Sequence, residues 1–314
     1  MYPKLVLMTC VLAFVAVVFS AYARLSDAGL GCANWPACYE ENALKQRQPP
    51  TADVTRDHAA WQWKLQNLVG ALLGILTIAI CGHSWQKRRE LRLSPLLPTL
   101  LVMLMAFLAI FGILAFSYLP RPVIVLVHLA GGITMLMLLA WIAFRLWASD
   151  DVSSGGARNL RLFSWVGIAL LVIEIMLGGW VSSNFAALAC TEFPLCQDSL
   201  LPMMDFSYRW VSDGLPLSRE CLTAINWIHR IGALIALVYL VWLSFMVNEV
   251  TSLKRTGNAV LGLVVLQFVI GVCNVTLGLP LIGAVMHNGV AMLLMVTLLF
   301  LNYKVRNNDR ASHF

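Results

Sequence analysis

Eight apolar stretches follow one another along the chain, at about 5–23, 61–82, 96–117, 122–147, 162–182, 223–247, 257–277 and 281–303. Each reaches the roughly 20 residues that a helix needs to cross the hydrocarbon of a bilayer. None alternates apolar with polar residues, as the strands of a membrane barrel do. Water-soluble domains carry about 25% charged residues, whereas this chain carries 12%, with 60% hydrophobic. The expectation is an all-α membrane protein with eight transmembrane helices.

Basic residues set the orientation. With the N-terminus in the cytoplasm, the cytoplasmic segments hold 13 of the 22 Lys and Arg, mostly in short loops such as Lys87-Arg88-Arg89 and Lys254-Arg255. That bias follows the positive-inside rule and puts both termini on the cytoplasmic side of a bacterial-type inner (plasma) membrane. The net charge of +6 then reflects anchoring at that surface and implies no nucleic-acid partner. The first apolar run has no small-residue cleavage site before its polar loop, so it reads as helix 1 rather than a removed signal peptide.

Two short segments are near-copies. Gly29-Leu30-Gly31-Cys32-Ala33-Asn34-Trp35-Pro36-Ala37-Cys38 matches Ala187-Leu188-Ala189-Cys190-Thr191-Glu192-Phe193-Pro194-Leu195-Cys196, at an offset of 158 in 314 residues. This predicts a tandem duplication. Four helices separate the copies, and an even number preserves direction, so the halves (1–150 and 151–314) are expected to be parallel-repeat four-helix bundles. Both cysteine pairs then sit in long outer loops, about 24–60 and 183–222, where disulfides are permitted. Each pair is either a structural clip or a redox-active couple. Cys10, Cys81 and Cys273 lie in apolar runs and read as packing residues; Cys221 receives no role.

Three of the six histidines stand out. His128, His229 and His287 fall on even-numbered helices at one depth, just below the outer face, whereas His83 reads as a solvated helix end and His313 belongs to the tail. Ionisable side chains at such a depth mark function by default. An iron porphyrin needs axial nitrogens from facing helices, small residues where its ring meets backbone, and cations for its propionates. Gly131, Gly132, Gly232, Gly283 and Gly289 lie near the histidines, and Arg230 and Arg24 are the candidate propionate partners. His229 and His287 form a bis-histidine clamp within one half. Glu174 and Gln267, each in mid-helix, are expected to hydrogen-bond to one another. Trp35, Trp85, Trp141 and Trp147 read as interfacial anchors.

The chain resembles the haem A synthase family. The likeness is carried by Arg24-Leu25-Ser26-Asp27-Ala28-Gly29-Leu30-Gly31-Cys32, by Gly178-Gly179-Trp180-Val181-Ser182-Ser183-Asn184, by Trp227-Ile228-His229-Arg230, and by Asn274-Val275 through His287-Asn288. The resemblance implies a first half that takes haem O as substrate and oxidises its C8 methyl to a formyl group, giving haem A for terminal oxidases. It implies a second half holding haem b, with His229 and His287 as iron ligands. His128 looks like one of two histidines at the haem O site. Cys32, Cys38, Cys190 and Cys196 look like the family's outer-loop disulfides. The implied partners are haem O, the enzyme that produces it or a terminal oxidase, membrane lipid, and a second copy of the chain.

One motif departs from the family. Its helix 2 carries Glu-x-x-His-Arg; aligned on Gly74, this chain has Trp63, Gln66 and Asn67 there, and aligned on Gly70 with Gly232 it sets Asn67 against His229. His58 lies eight residues before Gln66 and reaches the site only if the preceding loop folds back. The departure leaves two readings: a haem A synthase-like membrane oxidoreductase, or a non-catalytic b-type haem protein (electron carrier or oxidase assembly partner) that has lost the substrate site. A transporter built of parallel repeats leaves the histidines and cysteines unexplained.

Overall fold

A computed structural model describes residues 2–27, 56–91, 94–118, 121–147, 158–207 and 217–311. Its long helices are α1 (Tyr2–Asp27), α2 (Arg56–Gln86), α3 (Leu96–Tyr118), α4 (Arg121–Trp147), α5 (Arg158–Ser183), α6 (Arg219–Asn248), α7 (Lys254–Thr276) and α8 (Leu281–Ala311). Among the described residues, seven of these are long and apolar enough to cross a membrane; in α3 the qualifying apolar stretch, Leu96–Gly112, is shorter. Large apolar side chains cover the outside, including Leu68, Ile75, Met103, Ile110 and Val238. Such a surface suits lipid and not water, because monomers in water rarely expose large contiguous apolar patches. The protein is a multi-pass membrane protein.

Local sequence explains where helices begin and end. Ser218 caps α6 by accepting the Cys221 amide at 3.2 Å, and Glu220 lies in the first turn, at the positive end of the helix dipole. α7 stops at Gly278, whose φ of +68° suits glycine. The Leu279 amide returns to the Asn274 carbonyl at 2.7 Å, and Pro280 then leads into α8. The connection is short, so α7 and α8 are antiparallel neighbours.

Helix packing follows a simple order. α2 and α4 both pack on α1, and both also pack on α3; α6 and α8 both pack on α5, and both also pack on α7. α2 and α4 thus sit at opposite corners of one ring, and α6 and α8 at opposite corners of another. The rings meet through α8 against α1 and α4, and through α4 against α5. α8 is therefore central: 50% of its most apolar window is buried inside the protein, against 17% for α2 and for α7. Its Met292, Met295, Leu298 and Leu299 share a core with Ile133, Leu136 and Leu139 of α4.

Polar pins fix the packing at the end of the bundle that carries the N-terminus. The Tyr2 hydroxyl meets Ser84 Oγ at 2.5 Å, and the Tyr2 ring stacks on His83 at 5.2 Å, so His83 is engaged with α1 rather than simply solvated. Asn302, 1% exposed on α8, donates to Ser164 Oγ of α5 at 2.8 Å. Trp85 and Trp147 are exposed, but Trp141 packs edge-on against Tyr303 and serves helix packing instead of an interface belt. Cys32, Cys38, Trp35 and His313 lie outside the described residues.

Interhelical hydrogen bonds in membrane proteins contribute about 0.6 kcal/mol on average and up to about 1.7. Asn302→Ala is expected to lower stability by about 1 kcal/mol, seen as a reduced Tm in detergent. An unchanged Tm would show that the α5–α8 contact is held by apolar packing alone.

Candidate functional site

The N-terminal end of α6 is tied to the loop that follows α5. Thr223, Asn226 and Arg230 recur at helical spacing and share one face. Thr223 Oγ1 accepts from Gln197 Nε2 at 3.0 Å. Asn226 Nδ2 donates to the carbonyls of Ala186 (2.9 Å) and Ala187 (3.1 Å). The Arg230 guanidinium donates to the carbonyls of Glu192 (2.7 Å), Leu195 (3.0 Å) and Cys190 (2.6 Å). A Cys190–Cys196 disulfide closes the same loop. Arg230, expected to serve a porphyrin propionate, therefore spends three donors on loop carbonyls, and its Nε is buried without a partner. Arg24 lies half-buried in the last turn of α1.

His229 follows on α6 between Asn226 and Gly232. Its Nδ1 lies 2.7 Å from Glu174 Oε1 of α5. Its Cε1 lies against Gly178 of α5, where an added Cβ would come within 3.3 Å. His287 of α8 has the same kind of neighbour. Its Cε1 would lie 3.1 Å from a Cβ at Gly271 of α7, and its Nε2 is 3.1 Å from Gln267 Nε2. His128 of α4 completes the series: its Nε2 would lie 3.2 Å from a Cβ at Gly112 of α3. Each imidazole is thus seated on a glycine of the preceding helix. All three lie within the first three turns of their own helices. His229 and His287 come from opposite corners of one ring.

These seats differ from the glycines singled out in the sequence. Gly131 packs on Leu108, Gly132 on Val17, Gly289 on Val18, Gly232 on the Glu174 carboxylate, and Gly283 on Asn274. They admit neighbouring side chains between helices. The seats are Gly112, Gly178 and Gly271, none of which lies close to its histidine in sequence. The expected Glu174–Gln267 bond is also replaced: Glu174 faces His229, and Gln267 faces His287. Helix rotation decides this, since each mid-helix polar group turns toward the imidazole on the next helix.

The departure on α2 has a structural counterpart. Gln66 is exposed and donates to Ser20 Oγ of α1 at 3.4 Å, while Gln62 is buried and donates to Ser26 Oγ at 3.0 Å. Spaced by four, these side chains share a face and bind α2 to α1. α2 already begins at Arg56, so His58 lies on the same helix as Gln66, about 12 Å along its axis at roughly 1.5 Å per residue, and no loop folds it back.

His128 Nδ1 is 2.9 Å from the Ile124 carbonyl. A carbonyl can only accept, so Nδ1 carries the proton and Nε2 keeps its lone pair. The Phe111 ring stands 5.7 Å away. In the second half, Glu174 Oε1 and Oε2, His229 Nδ1, Gln267 Oε1 and His287 Nδ1 are all buried without an aligned hydrogen bond. Such groups are expensive to leave unmet and are rare in native interiors. Their concentration around two imidazoles fits a bound metal complex. Among the described residues no three His, Cys, Asp or Glu side chains gather as a bare ion requires. Two imidazoles from opposed helices suit an iron porphyrin, whose macrocycle supplies the other donors.

The sequence profile described as cytochrome oxidase assembly protein (COX15-CtaA) matches residues 3–299. Heme A synthase of Shewanella oneidensis is 34% identical, with 94% of each chain covered. Heme A synthase of Granulibacter bethesdensis is 25% identical over 96% of this chain and 87% of its own. That of Halalkalibacterium halodurans is 23% identical over 91% of each. With a profile match along nearly the whole chain and a full-length relative above 30% identity, the protein belongs to the COX15-CtaA family, the haem A synthases.

Proposed function

We propose that the protein is a membrane haem A synthase that oxidises the C8 methyl of haem O to a formyl group, providing haem A for terminal oxidases. The relatives favour this reading over a non-catalytic haem carrier. The observation that carries the site assignment is the seating of three imidazoles, on α4, α6 and α8, against glycines of the preceding helices.

Two halves, 1–150 and 151–314, form eight membrane spans as parallel-repeat bundles, with both termini cytoplasmic. Support comes from the matching packing order and from residue offsets. His128 to His287 and Gly112 to Gly271 are both 159 residues apart, while Ser20 to Gly178 is 158, the offset of the cysteine motifs.

In the second half, His229 and His287 hold a b-type haem between opposite corners of the helix ring. The bound haem supplies one-electron chemistry. Arg230 and Asn226 keep the disulfide loop over the outer end of α6, which limits water entry. In the first half, His128 presents Nε2 to substrate haem O because Ile124 occupies its Nδ1 proton. Gln66, a far weaker ligand than neutral imidazole, leaves the opposite side of that site without a second histidine.

Expression of the full chain with a haem O supply, followed by pigment extraction, tests the reaction. Haem A is the expected product; haem b alone, near one per chain, identifies a carrier. His229→Ala and His287→Ala are each expected to abolish the b-type absorption spectrum, and its retention in both variants removes these ligands from consideration. A Trp63→Glu/Gln66→His double variant is expected to raise haem A yield if α2 limits the native site. An unchanged yield assigns no limiting role to those positions.

A further inference from the structure

The two imidazoles of the second half have unequal neighbours. His287 faces a neutral amide, Gln267, whereas His229 faces a carboxylate. Glu174 is four residues before Gly178 on α5, so both lie on one face and meet His229 together. Gly178 receives the Cε1 edge of the ring, and Glu174 Oε1 stands 2.7 Å from Nδ1. On α6, Gly232 lies one turn beyond His229, and a Cβ there would collide with Glu174 Oε2. The Glu-x-x-x-Gly of α5 and the His-x-x-Gly of α6 therefore interlock around a single carboxylate. Its side chain is only 12% exposed, and neither oxygen has an aligned hydrogen bond among the described residues.

This arrangement occurs in one half only. At the offset of 158 that pairs Ser20 with Gly178, the position of Glu174 is taken by Ala16. The carboxylate is thus no requirement of four-helix packing, since α1 packs on α2 without it.

We propose that Glu174 is a positioning residue for haem ligand His229, holding the proton on Nδ1, turning Nε2 to the iron and favouring the ferric state. A carboxylate behind a ligating histidine fixes its tautomer and raises its basicity, and a more basic ligand stabilises the more highly charged metal. Only the second half has this device, so the two haem sites differ in reduction potential by construction. The inference rests on the assignment of His229 and His287 as haem ligands.

The test uses the purified full chain with its haem, as wild type, Glu174→Gln and Glu174→Leu. The readouts are the midpoint potential of the b-type absorption and the low-spin ferric resonance that His287→Ala abolishes. Glu174→Gln preserves volume and a neutral acceptor, and is expected to keep haem while the potential rises. Glu174→Leu removes the acceptor and is expected to shift the ferric-over-ferrous preference by on the order of tenfold, about 59 mV for one electron, with altered g values from the freed ring. If Glu174→Leu loses haem, Glu174→Gln decides alone. Unchanged potential and resonance in Glu174→Gln, with Glu174→Leu either unchanged or lost, overturn the inference while leaving the haem assignment intact. A wild type that carries no haem overturns both.

Discussion

An imidazole ring on a membrane helix needs room on the helix beside it, and only glycine leaves that room without a side chain in the way. His128, His229 and His287 are each seated in this manner, on Gly112, Gly178 and Gly271. A methyl group at any seat would displace the ring by a few tenths of an ångström. The helix packing therefore sets the position of each imidazole, and that position is a property of helix pairs, not of single helices.

The loop after α5 is part of the same construction. Thr223, Asn226 and Arg230 form a polar strip along α6, and each holds a different part of the segment after α5. His229 is in the same turn as Arg230 and Asn226. The strip satisfies loop carbonyls that would otherwise be stranded beside an apolar interior. Tying the loop to α6 couples its position to that of the helix that carries His229.

Much of this was legible in the sequence. Long apolar runs gave the helices, because a bilayer forces backbone polar groups to pair within a span. Shared depth picked out His128, His229 and His287, because depth depends only on distance along a helix. What depends on helix rotation and neighbour identity was not legible. Glu174 and Gln267 matched in depth yet turn to different histidines. Arg230 looked like an anion partner, but its donors meet backbone carbonyls, which leave no mark in a side-chain pattern. The glycine seats lie on other helices, and the sequence reading passed over them, although Gly112 and Gly271 share the 159-residue offset of His128 and His287. On α2, Gln66 read as the replacement of a family histidine, and the structure adds that it and Gln62 fasten α2 to α1.

The central place of α8 bears on biogenesis. It contacts α1, α4, α5 and α7, yet it follows all of them in the chain. Without α8, the surfaces of α1, α4, α5 and α7 that it covers lack that partner. They are covered only when α8 arrives, bringing His287 and Asn302 with it. The proposed pair of His229 and His287 is accordingly complete only once the last helix of the chain is in place.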